Sequence, residues 1–139
     1  YGVFLDFRDS IKRLGKDATI VANRDMVAQA LIAAEALARE GLEVRVVDCH
    51  TIKPLDEGTI LQAARETGAI VTAESNVCFG GLGSAVAEVL VENEPVPMKR
   101  IGVRDTFAES CPYLCLLDRY GLSAEHIANA VREVIARKV

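Results

Sequence analysis

The stretch AIVTAESNVCFGGLGSAVAEVL, residues 69–90, decides the fold of this chain. Its first six residues, 69–74, are mostly apolar and predict a short buried strand. A polar, glycine-rich turn is expected over residues 75–83, and an alanine- and valine-rich helix after it. In a parallel α/β sheet, the loops that leave the carboxyl ends of the strands meet ligands or partners. This turn is therefore the first place to look for a function.

Composition limits the kind of protein. The 139 residues are half hydrophobic, only 5% aromatic and without Trp, which suits a sheet covered by close-packed helices. A formal net charge of −4 argues against a nucleic-acid-binding surface. No apolar run approaches the roughly 18 residues of a membrane span, and no signal peptide opens the chain. Because the chain begins with Tyr1, we expect a piece of a longer protein, with residues 1–9 as a lead-in and 10–139 as one domain.

The four cysteines fit no zinc-binding spacing. Cys111 and Cys115 form CxxxC, not the CxxC of redox or metal sites. We expect Cys49, Cys78, Cys111 and Cys115 to be reduced thiols of a cytoplasmic protein. A redox or metal role stays open as the alternative.

Strand and helix patterns alternate along the chain, which predicts a doubly wound α/β fold. Strands are predicted at residues 10–14, 19–22, 42–47, 69–74 and 98–103. Helices are predicted at 25–40, 56–68, beyond 83, at 113–120 and from 123 onward, with Asp56 and Ser123 as N-caps and Gly41 and Gly68 as terminators. The helix at 25–40 is apolar on most sides, so its outer side is expected to cover a neighbouring domain or subunit.

Polar residues follow several predicted strands and should gather along one edge of the sheet. The candidate interface or anion-binding residues are Asn23, Arg24, His50, Glu74, Ser75, Asn76, Gly80, Gly81, Gly83 and Asp105. An active-site rim is possible, but domains often meet through such mixed surfaces, so we favour an interface. His50 fits a hydrogen-bonded structural residue better than a base. The residues predict no catalytic, cofactor-binding or metal-binding centre.

The glycines of this turn imitate a dinucleotide-binding motif but do not complete it. Val86 stands where the third glycine belongs, and the segment follows the third parallel strand rather than the first. A tight turn that opens a closely packed helix is the favoured interpretation. A contact with an anion or a partner is the alternative, because a helix start exposes free N–H groups.

The motifs, taken in order, resemble the C-terminal domain of transketolases, most closely the short C-terminal subunit of split bacterial transketolases. The matching segments are TIVA (19–22), MV (26–27), AL (30–31), VRVV (44–47), HTIKPLD (50–56), TGAIVTAE (67–74), GGLGSAVAE (80–88), RIGVRDTFAES (100–110) and YGLS (120–123). The resemblance covers nearly the whole chain.

The resemblance implies a three-layer α/β/α domain with a mixed five-stranded sheet whose first strand is antiparallel. It also implies an enzyme of the pentose phosphate pathway that moves a two-carbon ketol unit between sugar phosphates. That enzyme uses thiamine diphosphate and a divalent metal (Mg or Ca), usually as a dimer. In the family the Gly-Asp-Gly motif that binds the diphosphate belongs to upstream domains, and the motif does not occur here. The chain should therefore be non-catalytic, supporting the pyrimidine-binding domain and the dimer.

Three positions depart from the pattern of split transketolases. Arg24 stands where Gly is usual, Glu74-Ser75-Asn76 replaces Glu-Glu-His, and Cys111 replaces Gly. Two alternatives stay open. The chain could be the related domain of deoxyxylulose-phosphate synthase or of a 2-oxo-acid dehydrogenase beta subunit. It could also be a regulatory module that binds an anion or nucleotide at residues 74–83.

Overall fold

The computed structural model describes residues 10–52, 54–77, 81–103 and 121–138. In these ranges five strands form one sheet and four helices cover it. The elements are β1 (Ser10–Arg13), β2 (Ala18–Ala22), α1 (Met26–Ala38), β3 (Val44–Asp48), α2 (Glu57–Thr67), β4 (Ile70–Val77), α3 (Leu82–Asn93), β5 (Met98–Val103) and α4 (Ala124–Ala136). None of these helices has the length and apolar character needed to cross a membrane.

The strands lie in the order β1-β3-β2-β4-β5. β1 runs antiparallel to β3, while the β2–β3, β2–β4 and β4–β5 pairs are parallel. This is the mixed sheet that the resemblance implied, and the strand predicted at 10–14 is observed over Ser10–Arg13.

Two apolar clusters, one on each face of the sheet, make a three-layer domain. On one face, Ile20 and Val46 pack with residues of α1 and α4. On the other face, Val21 and Val47 pack with residues of α2 and α3. Side chains alternate between the two faces of a strand, so strands covered on both faces are apolar throughout.

The predicted ends of α2 are confirmed. The Asp56 side chain accepts the backbone N–H of Thr59 at 3.2 Å, and Gly68 ends the helix with φ +75°. Ser123 is the N-cap residue of α4, but its side chain makes no cap hydrogen bond. Its hydroxyl bonds instead to Nδ1 of His126 at 2.7 Å.

The predicted end of the central strand was wrong. β4 continues to Val77, so Ser75 and Asn76 belong to the strand and not to the turn. The reason is the neighbouring strand: β4 pairs with β5 up to Val77 and Val103, after an irregularity that begins at Ala73. The helix predicted at 113–120 and the lead-in at 1–9 lie outside the described residues.

Candidate functional site

The candidate site lies where β2 ends beside Ala73 of β4, which itself continues to Val77. The chain leaves β2 through α1 toward β3, and it leaves β4 through α3 toward β5, on the other side of the sheet. Such a switch point in strand order is where open α/β sheets bind ligands. The hydrogen bonds and the backbone conformation differ between the β2 side and the β4 side of this site.

Within β4, Glu74 points its carboxylate at the start of α3. The side chain is fully buried. Its two oxygens accept the backbone N–H groups of Leu82 at 3.1 Å and Gly83 at 2.8 Å. A helix start presents free N–H groups and a partial positive charge, which a carboxylate satisfies. The carboxylate of Glu74 thus takes the place that a bound anion could occupy at the start of α3.

Burial raises the pKa of Glu74 above its ordinary value, because a dry environment disfavours the charged form. The hydrogen bonds from Gly83 and Leu82 and the positive charge of Arg100 act in the opposite direction. Burial is the largest of these effects.

Arg100 lies near Glu74 and Gly83, and sequence reasoning did not single it out. It lies on β5 directly beside Thr72 of β4 in the pairing of the two strands. A Cβ atom added at Gly83 would come within 2.8 Å of the Arg100 Cδ and 3.0 Å of the Thr72 Oγ1. Gly83 is therefore required for close packing of α3 against the sheet. Arg100 is identified by the register in which β5 pairs with β4, and that register cannot be read from the sequence.

At the end of β2 the turn contains no glycine. Arg24 adopts φ +52°, a left-handed conformation that glycine tolerates best. Asn23 is buried, and its side-chain oxygen has no hydrogen-bond partner. Asp25, at the N-cap position of α1, does not cap the helix. Its carboxylate accepts the hydroxyl of Ser75 at 3.0 Å, which ties the β2 and β4 ends together.

The other predicted site residues divide into three groups. His50 follows β3, is exposed, and its Nε2 lies 2.7 Å from the Oγ of Ser10 on β1. Gly81 is the N-cap residue of α3, and Asn76 belongs to β4 by its backbone. Gly80 and Asp105 lie outside the described residues.

The surroundings do not favour a bound anion at the start of α3. The N–H groups of Leu82 and Gly83 already bind Glu74. A groove of about 570 Å³ beside α3 is lined in part by Glu57, Glu88 and Glu92, which repel phosphate. Among the described residues, no group of three or more His, Cys, Asp and Glu side chains is placed to hold a metal ion. The described residues therefore do not fit the diphosphate of thiamine diphosphate.

Comparison with known proteins is decisive for the family. The profile of the family "Transketolase, C-terminal domain" matches residues 9–127. The chain belongs to the transketolase C-terminal domain family. It is 50% identical over 129 residues to the 6-deoxy-6-sulfo-D-fructose transketolase subunit SqwH of Clostridium sp. (strain MSTE9), a match that covers 93% of this chain and 40% of SqwH.

Two further comparisons place this transketolase C-terminal domain among its relatives. A solved structure described as a split gene transketolase, inactive beta4 tetramer, superposes with a TM-score of 0.93 at 47% identity, covering 98% of this chain and 45% of that one. The 1-deoxy-D-xylulose-5-phosphate synthase of Syntrophotalea carbinolica (strain DSM 2380 / NBRC 103641 / GraBd1) is 48% identical over 121 residues, covering 86% of this chain and 19% of the synthase. The chain thus spans less than half the length of these relatives.

Proposed function

We propose that this chain is the non-catalytic C-terminal part of a split, thiamine-diphosphate-dependent transketolase in the cytoplasm. In this proposal the protein that contains it transfers a two-carbon ketol unit between sugar phosphates. The chain supports the pyrimidine-binding domain and takes part in a homodimer. The observation that carries the proposal is the superposition of 98% of the chain on a split-gene transketolase at a TM-score of 0.93.

The docking edge that we propose comprises Asn23, Arg24, His50 and Ser75, with Asn76 and Asp105 as further members from the sequence. Arg24 and His50 are exposed at the carboxyl ends of β2 and β3. Asn23 retains an unpaired acceptor there. Mixed polar surfaces of this kind are typical of contacts between domains. Gly81 is the N-cap residue of α3, and Gly83 allows α3 to pack closely against the sheet, so we leave both out of the docking edge.

The test is a ketol-transfer assay on the full-length protein combined with the subunit that carries the thiamine-diphosphate-binding domains. Wild-type protein should restore transfer when the cofactor and Mg²⁺ are supplied. Arg24→Glu should weaken association with that subunit about tenfold or more, while the activity at saturating subunit stays near that of the wild type. No transfer by the assembled wild-type protein, with either sulfonated or phosphorylated sugars, would refute the proposal.

A matched control is available at the opposite end of the sheet. Lys16 is an exposed cation just before β2, so Lys16→Glu makes the same charge change away from the proposed edge. It should leave association unchanged. Equal weakening by both variants would assign the effect to net charge and remove the edge from the proposal.

The relationship to 1-deoxy-D-xylulose-5-phosphate synthases supports a second candidate function. The same assembled protein can be assayed for formation of 1-deoxy-D-xylulose 5-phosphate. Formation of this product without ketol transfer would favour the synthase over the transketolase.

A further inference from the structure

A groove lies between α3 and the segment that leads into α2. It has a volume of about 570 Å³, within the range of about 300–1,000 Å³ that is typical of ligand sites. Its partly buried apolar lining residues are Ile52, Leu55, Ala85 and Val89. Ile52 and Leu55 pack against the apolar cluster under α2 and α3, so the lining is anchored to the core of the domain. We call this concave surface the α2–α3 groove.

Three exposed glutamates line the same groove: Glu57, Glu88 and Glu92. None of them forms an ion pair in the part of the chain that the structure describes. Arg65 of α2 does not neutralise them, because it pairs with Glu94 at 3.3 Å. The α2–α3 groove therefore combines an apolar lining with three negative charges.

The positions of Glu88 and Glu92 do not stabilise α3. The two residues are four apart, a spacing at which like charges repel each other on a helix surface. Glu92 is also in the last turn, where the negative end of the helix dipole favours a cation, and no basic residue occupies that turn. Residues that break such local rules are typical of functional sites. The compensating positive charge is therefore expected outside the domain.

We propose that the α2–α3 groove binds a basic, amphipathic segment of a partner polypeptide. Large apolar side chains of that segment contact Ile52, Leu55 and Val89, and its Lys or Arg side chains lie beside the glutamates. An amphipathic segment that lays its apolar face into a groove is a common mode of peptide recognition. Opposite charges around such a contact speed association and select the partner.

Other occupants fit the α2–α3 groove less well. A phosphate, a nucleotide or a nucleic acid would be repelled by all three glutamates. A divalent metal ion needs several converging oxygen ligands, and no group of three or more His, Cys, Asp and Glu side chains in the described ranges is placed to hold one. The proposal goes beyond the function proposed above and does not depend on ketol transfer, because the groove lies between helices and not on the docking edge.

The experiment is selection of peptides from a random phage-displayed library on the full-length protein. Selected peptides should carry several Lys or Arg residues around a large apolar residue, and their binding should weaken as salt is added. One selected peptide is then titrated by calorimetry. Glu88→Lys combined with Glu92→Lys should raise its dissociation constant about tenfold or more. Glu43→Lys combined with Glu125→Lys makes the same change in net charge at exposed sites outside the groove, and should change the constant less than about twofold.

Val89 and Val91 test the apolar half of the contact. Val89→Ser should weaken binding of the same peptide about fivefold or more, because an apolar surface is lost from the groove. Val91 is 73% exposed two residues further along α3 and does not line the groove. Val91→Ser should therefore leave binding unchanged.

Thermal unfolding without peptide separates binding from a role in the fold. Glu92→Lys should raise the melting temperature by a few degrees, because it removes the repulsion from Glu88 and places a cation in the last turn. A fall in melting temperature would mean that Glu92 stabilises the domain and would overturn the proposal. So would an absence of selected peptides, peptides without net positive charge, equal weakening by the two double variants, or binding of Mg²⁺ or spermine without any peptide. Failure of ketol transfer would leave these results unchanged.

Discussion

The turn that follows β2 and the helix start that follows β4 satisfy their polar groups differently. After β4, the buried carboxylate of Glu74 binds the first N–H groups of α3, and Gly83 lets α3 approach the sheet. After β2, Arg24 adopts a left-handed conformation without being glycine, and Asn23 keeps an unpaired buried oxygen. The start of α3 is thus closed by a side chain of the same domain, whereas the turn after β2 is strained and keeps one unpaired acceptor.

The difference shows that a glycine-rich turn is not by itself an open site. Glycines can serve the internal packing of a helix as well as the approach of a ligand. Strained backbone and unpaired buried groups cost free energy, and such features concentrate at functional sites. By this criterion the β2 turn is the better candidate for a contact outside the domain.

The largest expected effect comes from disrupting the closed turn at its carboxylate. Glu74→Gln places an amide NH₂ group against the N–H of Leu82 or Gly83, so one backbone donor loses its acceptor. An unsatisfied buried polar group costs about 1–3 kcal/mol, and we expect a loss of that size in the free energy of unfolding. Urea denaturation measures it. Glu88→Gln on the exposed side of α3 is the control and should change stability by less than about 0.5 kcal/mol.

A second variant tests the packing of α3. Gly83→Ala brings a methyl group against the Arg100 and Thr72 side chains, and overpacking costs about 1–3 kcal/mol. Gly58→Ala is the matched change in the first turn of α2, where the added Cβ would meet only Asp56 Oδ1, at 3.7 Å. It should stabilise the domain by about 0.5–1 kcal/mol, because Ala is the better helix former. Thermal unfolding of both variants tests the contrast, and equal effects would contradict it.

These two variants also show what the sequence predicts and what it leaves open. The mixed five-stranded sheet, its antiparallel first strand and the caps at Asp56 and Gly68 follow from local patterns or from the resemblance, because each depends on neighbours in the chain or on a known family. The role of Glu74 depends on the direction of its side chain within β4, eight and nine residues before the N–H groups that it binds. Arg100 joins it only through the pairing of β4 with β5.

The same reasoning explains the misplaced end of β4. Residues 75 and 76 are polar and stand before glycines, so local propensity favours a turn. Pairing with β5 overrides that propensity and extends the strand to Val77. Arg24 was recognised as a departure from a usual glycine, but its positive φ is visible only in the structure.

A smaller and opposite effect is expected at the strained turn. Arg24→Gly removes the steric cost of a left-handed side-chain-bearing residue, about 1–2 kcal/mol, but adds flexibility to the unfolded chain. We expect a net gain of up to about 1 kcal/mol in the free energy of unfolding. Arg24→Ala keeps a Cβ at the same φ and should stay close to wild type. A loss of stability in Arg24→Gly, as measured by urea denaturation, would mean that the side chain holds the turn.

The smallest expected effect is a pH dependence that belongs to Glu74. Its folded-state pKa is raised from the ordinary value of 4.5. Its contribution to stability is therefore fully present below pH 4.5 and is lost as the pH rises through the folded-state pKa. Exposed carboxylates such as Glu66 and Glu133 have lowered pKa values, so their contribution is lost as the pH falls. Subtracting the Glu74→Gln profile from that of the wild type isolates Glu74, and the difference should decline with rising pH above 4.5.

Hydrogen–deuterium exchange, measured on the full-length protein with and without the thiamine-diphosphate-binding subunit, tests the contrast between the two turns most directly. We predict that the amides of Leu82, Gly83 and Ala85 exchange slowly in both states, because they are bonded to Glu74 and Gly81 within the domain. We predict that residues 23–27 gain protection when the subunit binds. Unchanged exchange at 23–27 together with new protection at residues 82, 83 and 85 would contradict the account, because the start of α3 would then be the contact surface.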